Sequence, residues 1–181
     1  MRINKLYQTM GDQKFYGIMG TASTFLKELT LLETFIDSWT EKYLDPKTGN
    51  HWLKYMIDRD TGRYYNLMLL TPKPTTDEMI DIAFSSSSPD EVEGAVHRLF
   101  IEEEDKKKEF RPQFFERLKT YDISQLNPEG KKRIKTIILN GHLTDGINKR
   151  EIIGKHFTEI EKDANFFKNL SEFAGQILKQ L

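Results

Sequence analysis

Residues 25–43 have the sequence FLKELTLLETFIDSWTEKY, and the structure that this stretch adopts decides the fold class of the chain. Its apolar residues recur at intervals of three and four: Phe25, Leu29, Leu32, Ile36, Trp39 and Tyr43. This spacing places all of them on one side of an α-helix, as in a helix that buries one face. The stretch therefore predicts one long helix packed on the core, and a seam for a partner helix is the alternative.

Two runs rich in strand-forming residues follow the predicted helix. Residues 45–50, DPKTGN, have turn chemistry, and the runs 51–58 and 63–70 come next with RDTG at 59–62 between them. Two such runs joined by a short loop are typical of an antiparallel hairpin. We therefore expect one small β-hairpin near residues 51–70.

The rest of the chain has the features of successive short helices. Thr75 and Glu78 have the spacing of a capping box, and Ser88-Pro89-Asp90-Glu91 is a second one with proline at the first helical position. Asn127-Pro128 predicts the start of a later helix. The sequence thus predicts a mainly α fold, either a helical-hairpin bundle or a short α-solenoid, with the one small β-hairpin.

Length and composition favour a single domain covering residues 1–181. A chain of 181 residues with 38% hydrophobic residues can bury a sizeable core and does not have the composition of a disordered segment. The absence of cysteine excludes disulfides, thiolate nucleophiles and cysteine metal sites. No stretch has the apolar run of a secretory signal or of a membrane span. We expect a cytoplasmic protein that does not associate with membranes.

Charge is unevenly distributed along the chain, although the formal net charge is only −1. Residues 74–105 contain ten acidic side chains and one basic side chain, whereas residues 106–135 contain ten basic and four acidic ones. Glu102, Glu103 and Glu104 lie where a helix should end, so the helix dipole opposes them. Two interpretations remain. The acids pair with the lysines at 106–108 in a solvated loop, or they form an acidic patch that attracts a basic protein.

No motif in the chain predicts catalysis or cofactor binding. The histidines form no H-E-x-x-H pair, and the chain has neither a phosphate-binding glycine loop nor G-x-S-x-G. A calcium-loop pattern that begins at Asp58 fails at Gly62 and Leu69, where oxygen ligands would be required. We predict no enzyme activity, no cofactor and no metal. His142 and Asp145 are the remaining candidates for a general base, with a hydrogen-bonded turn as the alternative.

Residues 51–104 resemble a known family in the order of their elements and caps. The resemblance rests on Trp52-Leu53-Lys54-Tyr55, Leu67–Leu70, Pro72-x-Pro74-Thr75-x-x-Glu78-Met79-Ile80-x-Ile82-Ala83 and Pro89-Asp90-Glu91-Val92-x-Gly94-Ala95. In these features the chain is similar to the small immunity proteins of bacterial polymorphic-toxin systems. The resemblance implies a cytoplasmic inhibitor that neutralises a cognate toxin, often a nuclease, by binding it, and it brings no catalytic residues with it.

The leading hypothesis is an immunity-type protein that binds a basic toxin. The predicted partner contacts are the acids Asp90, Glu93, Glu102, Glu103 and Glu104, with Trp52 and Tyr64 as aromatic anchors. The alternative is a helical nucleic-acid-binding protein that uses the basic segment Lys131–Lys135, KKRIK. The other interpretation of that segment is a solvated helix face.

Overall fold

In the computed structural model, the described part of the chain, residues 13–58, 60–106 and 108–181, has a mixed α/β fold. It contains six α-helices and one five-stranded antiparallel sheet. The prediction of a mainly α protein with one small hairpin is therefore wrong. Residues 15–16, 30–35 and 40–44 add three strands to the two that the sequence predicts.

The chain forms two compact units. The first comprises the described residues up to Thr75 together with Ser88–Gly94, and the second comprises Thr76–Ser87 and Ala95–Leu181. One helix, α3 (Pro89–Lys106), begins in the first unit and continues in the second. The single domain over residues 1–181 stays a prediction.

The first unit is built on the sheet. Its strands are β1 (Phe15–Tyr16), β2 (Thr30–Phe35), β3 (Thr40–Leu44), β4 (His51–Met56) and β5 (Tyr65–Leu69), and its own helix is α1 (Met19–Leu26). The strand order is β1-β5-β4-β3-β2, so β2 is an edge strand. The hairpin predicted near residues 51–70 is present as β4 and β5, but it forms the middle of a larger sheet.

The stretch 25–43 forms the end of α1 and an edge hairpin instead of the predicted long helix. Leu31 of β2 pairs with Tyr43 of β3, and a 3-10 turn at Ile36–Ser38 connects the two strands. Trp39 follows this turn in the left-handed conformation, with φ of 52°. The stretch is rich in β-branched and aromatic residues, which favour strands, and β3 also pairs along its whole length with β4. These tertiary interactions outweigh the helical spacing of the apolar residues.

One face of the sheet packs against α1 through an aromatic cluster. The rings of Tyr16 and Phe25 stack with their centroids 4.4 Å apart, and Trp52 meets Phe25 edge-on at 4.9 Å. Leu67 and Leu69 of β5 complete this core. Burial of each such side chain stabilises the fold by about 1.5–3 kcal/mol. Because a helix as short as α1 is barely stable alone, its packing on the sheet is what stabilises it.

The start of α3 is held closely against β1 within the same unit. Tyr55 donates a hydrogen bond from its hydroxyl to Gly94 O at 3.1 Å. A Cβ atom at Gly94 would lie only 2.6 Å from the Cβ of Phe15, so glycine is required for this close approach. The first turn of α3 is thereby part of the sheet unit.

The second unit is helical. Besides the continuation of α3, it contains α2 (Thr76–Ser85), α4 (Arg111–Lys119), α5 (Pro128–Asn140) and α6 (Phe157–Leu178), with a 3-10 turn at Ile123–Gln125. The predicted start of α5 is confirmed, since Asn127 Oδ1 accepts a hydrogen bond from Gly130 N at 2.7 Å and Pro128 is the first helical residue. The start of α3 at Pro89 is also where the sequence predicts it.

Candidate interaction surface

Two of the predicted partner contacts, Glu102 and Glu103, lie inside the second unit. Glu102 is 1% exposed, and its carboxylate accepts hydrogen bonds from Arg98 Nε and Nη2, both at 3.0 Å, and from Lys108 Nζ at 2.9 Å. Glu103 accepts hydrogen bonds from Arg111 Nε at 2.9 Å and 2.8 Å to its two oxygens. Internal bases therefore neutralise both carboxylates, and neither faces solvent.

Arg111 connects this ion-pair network to the core of the helical unit. It is 1% exposed, its Nη1 donates to His142 O at 3.0 Å, and its guanidinium lies 5.4 Å from the ring centroids of Phe110 and Phe167. Burial raises the pKa of Glu103, and the charge of Arg111 counteracts this shift. The pair is a buried structural interaction, and we place it outside the candidate surface.

Asp90, the third predicted acidic contact, is buried in the first unit. Its Oδ1 accepts hydrogen bonds from Gly17 N at 3.0 Å, Ile18 N at 2.7 Å and Thr21 Oγ1 at 2.6 Å. These donors lie at the N-terminal end of α1, where the helix dipole favours a carboxylate. Asp90 thus holds α1 against the start of α3 in this unit.

Glu93 and Glu104 complete the predicted acidic set. Glu93 is partly buried, whereas Glu104 is exposed and its Oε1 lies 3.8 Å from Lys149 Nζ. One interpretation of the sequence is that these acids pair with the lysines at 106–108 in a solvated loop. It applies in part, because Lys108 pairs with Glu102, but Glu102 is buried. Residue 107 and the side chain at 106 lie outside the described residues. The acids described at this end of α3 do not form one continuous exposed patch.

The two predicted aromatic anchors differ in exposure. Trp52 is buried in the aromatic cluster beneath α1, with its ring 5.4 Å from that of Tyr16. Tyr64 is 56% exposed and immediately precedes β5. Of the two, Tyr64 is placed where a partner could reach it.

The candidate general base and its aspartate lie on a turn after α5. His142 is exposed, has φ of 49° and stacks on Phe100 with ring centroids 4.2 Å apart. The Asp145 carboxylate accepts a hydrogen bond from Ile147 N at 3.0 Å and lies 3.2 Å from Lys149 Nζ. These two bonds lower the pKa of Asp145 although partial burial opposes them. Within the described ranges, no group of three or more histidine, aspartate or glutamate residues could hold a metal ion.

The basic segment Lys131–Lys135 lies on α5 and is partly engaged inside the protein. Ile134 is buried, and Arg133 Nη1 donates to Phe84 O at 3.0 Å. Lys131 Nζ lies 3.4 Å from Gln180 O. Lys132 and Lys135 are exposed. The segment has the form of an amphipathic helix with two exposed lysines, which is a narrow surface for nucleic acid.

Five exposed apolar side chains of the first unit lie on the β2–β3 hairpin. We name Leu31, Leu32, Phe35, Ile36 and Trp39 the hairpin surface. Ile36 is 83% exposed and Trp39 is 56% exposed, and every residue of β2 is exposed. Isolated exposed apolar residues are ordinary, but a concentration of them on one hairpin is typical of an interaction site.

A shallow hollow of about 210 Å³ lies at the turn end of this hairpin. Phe35, Ile36 and Trp39 of the hairpin surface line it, together with Thr34, Thr40, Glu41 and Met56. Glu41 Oε2 accepts hydrogen bonds from Lys54 Nζ at 2.9 Å and from the Tyr43 hydroxyl at 2.6 Å. These bonds lower the pKa of Glu41 although burial opposes them, so its carboxylate is ionised and already partnered. The hollow therefore offers mainly apolar contact.

The backbone of β2 adds a second chemical feature to the hairpin surface. Among the described strands, β2 pairs with β3 only, and its other side is the edge of the sheet. The register shifts between Leu31 and Glu33, so Leu32 is the extra residue of a β-bulge. An edge strand carries backbone N–H and C=O groups that can pair with another strand.

Sequence reasoning missed this surface because it assigned three of its residues, Leu32, Ile36 and Trp39, to a buried helix face. A signal was nevertheless present. The residues at 40–44, TEKYL, alternate polar and apolar side chains only in part, but Thr30, Thr34 and Phe35 have high strand propensity. Weighing propensity together with spacing would have made a second hairpin a competing prediction.

No family model, curated protein sequence or solved structure matches this chain. Of the helices in the described residues, none combines the length and the apolar character that crossing a membrane requires.

Proposed function

We propose that the protein is an immunity-type binding protein that neutralises a protein toxin by direct stoichiometric contact, and that the hairpin surface is its contact site. The observation that carries this proposal is the exposure of five large apolar side chains on one edge hairpin. Apolar and aromatic side chains at the centre of an interface supply most of its binding energy. The resemblance of residues 51–104 to immunity proteins supports the class of partner.

The buried acids change which residues we assign to the contact. Glu102, Glu103 and Asp90 are engaged within their own units, so exposing them to a toxin would cost several internal hydrogen bonds. Trp39 and Phe35, by contrast, are aromatic and accessible beside the hollow. They are the anchors that we propose, and Ile36 extends the apolar contact.

Co-expression tests this function. The candidate partner to be tested is the C-terminal domain of the protein encoded immediately upstream, expressed in a cell with and without the present chain. We expect growth to be rescued and a one-to-one complex to form. Failure of the wild-type chain to rescue growth, or the absence of any secreted protein encoded there, contradicts the proposed function.

Matched variants locate the contact. Ile36→Asp places a charge on the hairpin surface, and Ile153→Asp does the same at a site of similar exposure in the helical unit, since the two isoleucines are 83% and 85% exposed. We expect calorimetric affinity for the toxin domain to fall at least 100-fold with Ile36→Asp and to change less than threefold with Ile153→Asp. Equal effects of both variants would remove the hairpin surface from the interface.

A further inference from the structure

The edge of β2 combines three properties that bear on what binds there. It is a six-residue strand at the end of the sheet, all its side chains are exposed, and it contains no proline. Natural edge strands are commonly protected by lysine, proline or a covering element. Among the residues that the structure describes, the bulge at Leu32 is the protecting feature present at this edge. The edge is thus only partly protected against addition of another strand.

The bulge also determines which side chains share a face. Leu31 pairs with Tyr43 and Glu33 pairs with Lys42, which are adjacent residues of β3. Since adjacent residues of a strand point to opposite faces, Leu31 lies on the face that carries Tyr43, and Glu33 lies on the other. Phe35, paired with Thr40, shares the face of Glu33. A strand added beside β2 would therefore meet an apolar residue on one face and an acid followed by an aromatic ring on the other.

The charge of residues 30–39 indicates which kind of strand could pair with this edge. Residues 30–39 contain Glu33 and Asp37, both exposed, and no basic side chain. A second copy of the chain pairing through β2 would bring like charges together, which is unfavourable between neighbouring strands. A strand with lysine or arginine alternating with apolar residues would place opposite charges side by side.

From these observations we propose that β2 accepts an antiparallel strand from the partner, which extends the sheet to six strands, and that this strand alternates basic and apolar side chains. A basic residue would lie beside Glu33, on the face that also carries Phe35, and an apolar one would lie beside Leu31 on the other face. Main-chain hydrogen bonds supply affinity in this mode, and alternate side chains supply specificity. The assignment of the added strand to a toxin rests on the proposed function.

Synthetic peptides test the pairing without the toxin. The probe is a ten-residue peptide that alternates lysine with valine and tyrosine, compared with its glutamate counterpart and with a copy N-methylated at alternate residues. We expect the basic peptide to bind at least tenfold more tightly than either of the other two. N-methylation removes backbone donors and leaves the side chains in place, so equal binding of the methylated copy would overturn strand addition. No binding of the basic peptide at millimolar concentration would overturn it too.

Substitution of the charge at Glu33 and measurement of amide hydrogen exchange complete the test. Glu33→Lys should reverse the preference to the glutamate peptide, and Glu33→Gln should abolish the preference. Among residues 30–35, the amides that point away from β3 should gain at least tenfold protection when the basic peptide binds. Unchanged exchange in the bound state, full protection of all six amides in the free protein, or a dimer that forms through β2 would each contradict the proposal, because the edge would then be unused or already occupied.

The two proposals can fail separately. Toxin rescue with unchanged exchange at residues 30–35 in the complex would refute strand addition and leave the proposed function standing. Peptide pairing with no toxin rescue would refute the proposed function and leave the strand-accepting edge.

Discussion

The end of α3 and the β2–β3 hairpin use charge and apolarity in opposite ways. At Glu102 and Glu103 carboxylates lie inside the protein, paired with Arg98, Lys108 and Arg111. At residues 30–39 aliphatic and aromatic side chains lie in solvent. The difference shows that internal partners decide burial, because a carboxylate with an arginine within hydrogen-bonding distance can be buried, while the apolar side chains at residues 31–39 are not covered by the part of the chain that the structure describes.

Removal of Arg111 should give the largest effect on stability. Arg111→Met leaves the carboxylate of Glu103 buried without its charge partner, which is expected to lower the free energy of unfolding by about 3–5 kcal/mol. Urea denaturation followed by circular dichroism measures this change. Lys119→Met removes a surface pair with Glu116 instead, where both side chains are substantially exposed, and should cost less than about 1 kcal/mol.

A second variant separates the lost pair from lost packing. Arg111→Met combined with Glu103→Leu removes both charges, and we expect it to recover most of the lost stability, because two apolar side chains need no charge partner. If the double variant is no more stable than Arg111→Met alone, the shape of the arginine matters more than the ion pair.

Acid should destabilise the helical unit through His97, which lies one residue before Arg98 on α3. Burial lowers the pKa of His97 from 6.5 to about 4, and the charge of His142 adds to this shift. The unfolded chain therefore binds a proton on this residue at higher pH than the folded protein does. Stability is fully present above pH 6.5 and is lost as the pH falls from 6.5 towards 4, by about 3 kcal/mol.

His97→Leu tests this assignment through the pH dependence rather than the stability itself. The loss of unfolding free energy between pH 7 and pH 4 should be about 3 kcal/mol smaller in His97→Leu than in the wild type. His51→Gln, on β4, is the control and should keep the wild-type dependence. A His97→Leu profile parallel to that of the wild type would assign the acid sensitivity to other groups.

Local chemistry could be predicted from the sequence, and long-range pairing could not. The cap at Asn127 and the start of α3 at Pro89 depend on residues three or four positions apart, so the sequence alone determines them. The edge hairpin depends on β3 finding β4, as in the pairing of Thr40 with Tyr55. The spacing of the apolar residues in 25–43 matched a helix, and although the sequence predicts a strand at 51–58, no local signal showed that residues 40–44 would pair with it.

The candidate surface was harder to predict than the fold. Glu103 and Arg111 are eight residues apart, and their charges are plain in the sequence, but only the folded structure shows that they pair in the interior. Conversely, Ile36 and Trp39 are residue types that are common in protein cores, but here they are exposed beside the strand that ends the sheet. Exposure is a property of topology, so a charge pattern or an apolar pattern alone does not locate an interface.

Polar replacement on the hairpin surface should hardly change stability. Trp39→Ser and Ile36→Asp alter side chains that are mostly exposed, so the free energy of unfolding should change by no more than about 0.5–1 kcal/mol. Denaturation of both variants measures this, and it supports their use in binding assays. A loss above about 2 kcal/mol would mean that the hairpin surface is part of the fold's own core, contrary to its exposure.

The smallest effect is expected at the basic face of α5, where the nucleic-acid alternative can be decided. Lys132 and Lys135 are exposed, while Arg133 is bonded to the carbonyl of Phe84. Lys132→Gln with Lys135→Gln should leave stability within about 0.5 kcal/mol of the wild type.

If the exposed lysines bound phosphates, filter retention of DNA or RNA by the wild type would fall steeply between low and moderate salt, and the double variant would reduce that slope. Because only two lysines of the segment extend into solvent, we expect filters to retain little DNA or RNA at either salt concentration. If retention is instead strong and salt-dependent, and the double variant abolishes it, then α5 is the functional surface and the hairpin surface is secondary.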